Sequence, residues 1–348
     1  HYDADAQVVH TDSAFVWGLP AVGFLLVAVA LGGWFWQRYE GFANAPIALA
    51  GSERILVVES GDGFQDILDK LRELGVHEGH DLEWKALAHE MKVVSRLQVG
   101  DYTIRHGITP AELLRKLERG DVIHYRFTLV EGWNLRELRA ALARDERIRQ
   151  TLADTDDAAL MKALGREGVH PEGRFLPETY HYTRGMSDLD LLRRALLAMD
   201  KALAEAWDGR LDDLPLETPD QLLTLASIIE KETGKASERP EIAGVFVRRL
   251  KMGMRLQTDP TVIYGMGSAY DGNIRRRDLT TDTPYNTYTR AGLPPTAIAL
   301  PGMASLLAAV RPDDTNALYF VARGDGSSQF SATLDEHNAA VRRYILSR

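Results

Sequence analysis

The 348-residue chain is 45% hydrophobic and 26% charged, a composition able to bury the cores of two or three domains. Its formal net charge of −9 argues against a nucleic-acid partner, which would call for clustered Lys and Arg. Without cysteine there are no disulfides or thiolate metal sites, and the ten scattered histidines show no ligand spacing, so neither metal nor cofactor is expected.

In chain order, a short tail (1–14) precedes Phe15–Trp36, 22 residues without a charge. That run is long enough to cross a bilayer as a helix, and Trp17 at one end with Trp34 and Trp36 at the other suits an aromatic belt. We expect a membrane anchor rather than a cleaved leader, because no clear Ala-x-Ala site precedes Arg38. The flanking charges do not orient it: Asp3, Asp5 and Asp12 lie before it without a Lys or Arg, and Arg38 follows. Residues 37–53 read as a linker. A small α+β module is expected over 54–120. It has a strand at Arg54–Glu59, a turn at Gly61–Gly63 and an amphipathic helix at Phe64–Leu74 stopped by Gly75. A second strand at Leu97–Ile104 and a helix at Ala111–Leu117, capped by Thr109-Pro110, repeat that logic.

A larger α+β domain is expected over 121–348. Strand Ile123–Val130 alternates in polarity, and helices follow at Leu135–Arg149 and Leu189–Trp207, with a Gly/Pro-punctuated loop, Pro171–Tyr180, between them. Beyond a helix at Glu241–Lys251 comes a turn-rich region, Met254–Pro301, too rich in Tyr and aliphatic residues to be disordered. A strand at Tyr319–Ala322 and a helix opened by Thr333 and Glu336 close the chain.

Within this domain one helix carries the candidate chemistry. Thr218 can cap it, Pro219 takes the first position, Gln221 completes a capping box and Gly234 can end it. Apolar residues 222, 225, 226 and 229 recur at helical spacing, and Glu230 lies on the side of Leu223, Ala226 and Ser227. A carboxylate at the margin of an apolar face, above small residues, is partly desolvated with room for a ligand. Desolvation raises its pKa, which suits a general acid near neutral pH. Glu232 points about 200° round the helix. On this helix alone, an ordinary boundary residue in a salt bridge fits Glu230 as well.

Several constellations are absent: no Gly-x-Ser-x-Gly elbow, no phosphate loop and no zinc-protease histidine pair. What remains is one placed carboxylate and loops rich in amides, hydroxyls and aromatics: Gln257, Thr258, Asp259, Tyr264, Tyr285, Asn286 and Tyr288. Amides donate and accept, and tyrosine offers an apolar face with a polar tip, a mixture that fits a sugar.

The motifs Leu225-Ala-Ser-Ile-Ile-Glu-Lys-Glu-Thr233, Glu238-Arg-Pro-Glu-Ile-Ala-Gly-Val-Phe246, Leu256-Gln-Thr-Asp-Pro-Thr-Val262, Pro284-Tyr-Asn-Thr-Tyr288 and Gly292-Leu-Pro-Pro295 resemble those of the endolytic murein transglycosylases, the MltG or YceG-like family. Glu131-Gly132, Glu172-Gly-Arg-Phe-Leu-Pro-Glu-Thr-Tyr180 and Glu336-His-Asn338 do so too, and the likeness runs from about residue 54 to the C-terminus. The resemblance implies a single inner-membrane helix, a LysM-like module at 54–120 and a periplasmic catalytic domain. It also implies peptidoglycan glycan strands as substrate, cell-wall synthases as partners and Glu230 as the catalytic acid and base. Gln257, Thr258, Asp259, Tyr285 and Asn286 are then the residues expected to hold the sugar. Three positions depart from the family pattern: Ser328 stands in place of a histidine, Leu300 and Arg248 in place of asparagines. Two rival readings stay open, a muramidase using Asp259 as a second carboxylate and a noncatalytic peptidoglycan-binding scaffold.

Overall fold

Alternating apolar residues set the first ladder: Leu56 and Val58 are buried on one strand and face Tyr102 and Gly100 on its antiparallel partner. The computed structural model describes residues 14–232 and 235–346, with side chains from Val22 onward, and its α+β elements fall into two units divided between Ile123 and His124. The first unit holds α1 (Ala14–Asn44), β1 (Glu53–Val58), α2 (Phe64–Glu73), α3 (Asp81–Glu90), β2 (Gly100–Arg105) and α4 (Pro110–Arg119). Ile67, Leu68 and Leu71 of α2 and Leu113, Leu114 and Leu117 of α4 recur at helical spacing and share a core with the β1–β2 pair. Thr109 and Glu112 form the expected capping box of α4, and Gly120 closes it in the left-handed region.

Two expectations change here. Residues 37–53 are more than a linker: α1 continues to Asn44, and Phe42, Ala43, Ile47 and Leu49 are core residues, with Phe42 edge-on to Trp84. Helix α3 was not anticipated, because its apolar residues do not gather on one face: Leu82 faces solvent while Trp84, Leu87 and Ala88 are buried. Among the described residues no helix is long and apolar enough to cross a membrane. The tail 1–13 and the side chains of the first third of the expected span 15–36 lie outside the described part.

The second unit runs β3 (Tyr125–Thr128), α5 (Leu135–Ala143), α6 (Asp157–Ala163), β4 (Thr179–Tyr182), α7 (Asp188–Asp208), α8 (Pro219–Glu232), α9 (Arg239–Lys251), α10 (Asp259–Met266), α11 (Arg276–Thr280), α12 (Met303–Val310), β5 (Tyr319–Ala322), β6 (Ser328–Ser331) and α13 (Leu334–Val341). Its strands form two antiparallel pairs, β3 with β4 and β5 with β6. At the centre lies α8, buried without a break from Leu222 to Glu230 among α7, α9 and α12. A second core joins α5 and α6 to the first half of α7 beneath the β3–β4 pair. Helix α5 ends at Ala143, short of the expected Arg149; α10 and α11 lie inside the region read as turn-rich, β4 begins in the loop read over 171–180, and α6, α12 and β6 lie in stretches given no element. At the start of α8, Thr218 accepts from the backbone N–H of Gln221, whereas the Gln221 side chain turns to the N–H of Glu217. Gly234, expected to end the helix, lies outside the described residues.

Candidate functional site

Because α8 is buried on every side from Leu222 to Glu230, its last turns bring a carboxylate into the interior only where partners await it. Glu230 has three. Its Oε1 accepts from Arg239 Nη2 at 3.1 Å; its Oε2 accepts from the Gly302 N–H at 2.9 Å and from Ser305 Oγ at 2.7 Å. The side chain is 4% exposed. Charge-assisted bonds of this kind are the strong ones. Arg239, the first residue of α9, also lies 3.6 Å from Glu131 Oε2, so one guanidinium serves a buried and a half-exposed carboxylate. The approach is close: a Cβ added at Gly302 would sit 2.0 Å from Glu131 Oε1. Loop 131–133 is tied beside it, with the Gly132 N–H donating to Leu300 O and Lys231 Nζ to Gly132 O.

A cavity of about 950 Å³ opens in this unit with Lys231, Ile298, Tyr264, Tyr285 and Glu172 on its walls, and Glu230 does not line it. Glu172 is the buried acid that does. It receives the first N–H of α5 on both oxygens (Leu135, 3.1 and 3.2 Å) and the Tyr264 hydroxyl at 3.0 Å. Burial pushes its pKa up to about 7, against those hydrogen bonds and with help from the Asp157 carboxylate. Gly173 fixes the loop that presents it: its φ is +79°, and a Cβ there would lie 2.6 Å from Ala297 Cβ. Sequence reasoning placed Glu172 in a loop, at the head of a motif shared with the family, and gave it no role. The signal was present in a glutamate flanked by Pro171 and Gly173, but a loop glutamate carries no periodicity from which burial can be read.

The residues expected to hold a sugar lie on two segments, 257–259 and 285–286, that are hydrogen-bonded through Thr287 and Tyr288. Tyr285 lines the cavity, its ring tilted against Tyr264 with centroids 4.9 Å apart and its hydroxyl on Thr296 Oγ1. Thr258 is buried and its hydroxyl donates to Glu232, whose pKa burial pushes up to about 7. Gln257 is exposed with a positive φ of 52°, its N–H on Thr287 O. Asp259 is exposed and accepts the Tyr288 hydroxyl at 2.6 Å. Asn286 is buried; its amide donates to the carbonyls of Asp278, Leu279 and Thr281 and accepts from the Tyr288 N–H, bonds that fold the 278–288 loop.

Comparison with known proteins places this arrangement. The model of the YceG-like family matches residues 56–343. The chain belongs to the YceG-like family. One relative, the endolytic murein transglycosylase of Bacillus subtilis (strain 168), is 35% identical over 274 residues, covering 74% of this chain and 76% of the relative. The endolytic murein transglycosylase of Streptococcus pneumoniae serotype 2 (strain D39) is 26% identical over 357 aligned residues, 93% of this chain but only 64% of that protein. A crystal structure of a YceG-like protein from Listeria monocytogenes aligns with a TM-score of 0.52 at 28% identity, covering 83% of this chain and 99% of that one.

The three departures from the YceG-like pattern have structural surroundings here. Leu300 is core, and its backbone holds the Gly132 loop. Arg248 binds Ala317 O, Asp313 O and Thr315 Oγ1, pinning loop 313–317. Ser328 donates its N–H to Glu238.

Proposed function

We propose that this chain is a membrane-anchored endolytic lytic transglycosylase that cuts the MurNAc–GlcNAc β-1,4 bond of peptidoglycan and leaves 1,6-anhydroMurNAc ends. The observation that carries the reading is the buried Glu230 carboxylate, held by three donors on the helix whose next residue, Lys231, lines the cavity. Family membership and the names of the relatives support it. In the resting site Arg239 occupies Oε1; turning the guanidinium fully to Glu131, already 3.6 Å away, frees that oxygen to carry a proton. As acid, Glu230 protonates the glycosidic oxygen while the bond to the MurNAc anomeric carbon breaks. As base, it takes the proton of the MurNAc 6-hydroxyl, whose oxygen closes the anhydro ring. One carboxyl serves both steps, in contrast to the paired carboxyls of hydrolases, and a buried setting keeps water from competing.

Anchoring in the inner membrane, with the C-terminal region in the periplasm, belongs to the same proposal. It is supported by the charge-free sequence 15–36 and by the apolar side chains of α1 that face outward, among them Phe24, Leu25, Val29 and Phe35. Limiting the length of glycan strands beside cell-wall synthases is the role such an enzyme would serve, and residues 54–120 are the proposed LysM-like module. Digestion of purified sacculi by the wild type and Glu230→Gln, read by mass spectrometry, tests the chemistry. Anhydro ends from the wild type and none from the variant are expected. Reducing ends would mean a muramidase, and no release by the wild type would leave the scaffold reading.

A further inference from the structure

The Glu172–Tyr264 pair sits in the cavity and is not used by the Glu230 chemistry. The Tyr264 hydroxyl as it stands donates to Glu172 Oε2, and its ring forms the cavity wall with Tyr285. A carboxylate can only accept, so while Glu172 is ionised it holds that hydroxyl hydrogen. A protonated carboxyl donates instead. We infer that Glu172 and Tyr264 form a proton-coupled donor for the glycan: with its proton, Glu172 donates to Tyr264 Oη, and the tyrosine O–H turns into the cavity to an oxygen of the bound sugar. On losing the proton, Glu172 recaptures the hydroxyl and the sugar loses its donor. Both are positioning residues for the substrate of the proposed reaction, on which this inference rests.

The groups facing Glu172 set where the exchange happens. From α5 come the Leu135 N–H and the charges of Arg136, Glu137 and Arg139; α6 contributes Asp157. His170 of its own loop accepts the Glu172 N–H on Nδ1, and burial holds that imidazole below its usual pKa. Lys231 of α8 lies on the same wall. Burial outweighs the favourable donors and leaves the carboxyl titrating at about 7, while burial and the nearby Glu172 push the Tyr264 hydroxyl far up, so it keeps its proton throughout.

The test is calorimetric binding of glycan strands stripped of stem peptides, from pH 6 to pH 8.5, by the full chain. Every protein carries Glu230→Gln so that strands stay whole. With Glu172 intact, affinity should fall about fivefold as pH rises, the factor one neutral hydrogen bond supplies. Glu172→Gln, whose amide donates to Tyr264 at every pH, should bind tightly throughout; Tyr264→Phe should bind weakly throughout. The same fall in all three proteins, a flat profile with Glu172 intact, or no binding at any pH overturns the inference. Either variant decides alone if melting shows that the other is misfolded. A wild type that releases no anhydro ends from sacculi, yet binds strands with this pH pattern, would overturn the proposed function and leave the pair standing.

Discussion

Glu230 and Glu172 are both buried glutamates of the second unit, and their surroundings differ in kind. Glu230 meets a guanidinium, a backbone N–H and a hydroxyl, and is not among the residues lining the 950 Å³ cavity. Glu172 meets a helix N-terminus and a phenol with the Asp157 carboxylate near, and faces open space. The first is a carboxylate held by three donors, and in the proposed mechanism it must be released before it can act. The second is a carboxyl whose proton comes and goes near neutral pH. Burial alone therefore does not say what an acidic side chain does; the sign and mobility of its partners do.

Substituting Glu230 gives the largest expected effect. Glu230→Gln should cut release of anhydro ends by about 10²–10⁴-fold, the range of a lost general acid–base group. Stability should drop by less than the roughly 3–5 kcal/mol of an orphaned buried charge, because Glu131 remains to receive Arg239. Residual activity above a tenth of the wild type would erase the distinction between the two acids. Next in size is the linkage of Glu172 to stability. Its folded pKa of about 7 lies above the ordinary 4.5, so the folded state binds the proton more tightly. Stability is thus fully present below about pH 4.5 and is lost as pH rises towards 7, by on the order of 3 kcal/mol. Denaturant titrations at pH 5 and pH 8 should show Glu172→Gln relieving that loss; an unchanged pH dependence would mean that the carboxyl is not titrating there. Asn286→Ala follows. With three carbonyls deprived of their donor, it should lose about 1–3 kcal/mol in denaturant melts, with KM unchanged in the folded protein.

Much of this division was legible in the sequence, and its limits are physical. Helix α8 was readable from its cap and spacing, as were the β1–β2 ladder and α4, because each pattern is local. The partners of Glu230 were not: Arg239, Gly302 and Ser305 arrive from 9, 72 and 75 residues away, and nothing local announces them. Helices α10 and α11 hid in a region punctuated by Gly, Pro and Thr, where turn signals outweigh short helical runs. Asn286 looked like a ligand for a hydroxyl-rich substrate because an amide's appetite for hydrogen bonds is visible in sequence, while the carbonyls that satisfy it are not. Glu172 was hidden for the converse reason, since its burial is decided by Leu135, Tyr264 and the approach of Ala297 to Gly173.

Asp259 should give the smallest effect and bears on the rival chemistry. Its carboxylate is exposed and held by the Tyr288 hydroxyl, at the first position of α10, where a negative charge favours the helix N-terminus. Asp259→Asn keeps an acceptor for Tyr288 and gives up only that charge, so stability should change by about 0.5 kcal/mol. Activity on sacculi should stay within about twofold, since loss of an exposed charge away from the reacting atoms moves the barrier by no more than a few tenths of a kcal/mol. A muramidase needs a second carboxyl as nucleophile or as base for water, and in that case Asp259→Asn would fall as far as Glu230→Gln. Equal losses in the two variants, with reducing rather than anhydro ends from the wild type, would move the second acid of the reaction to Asp259 and leave Glu230 with only half of its assigned work.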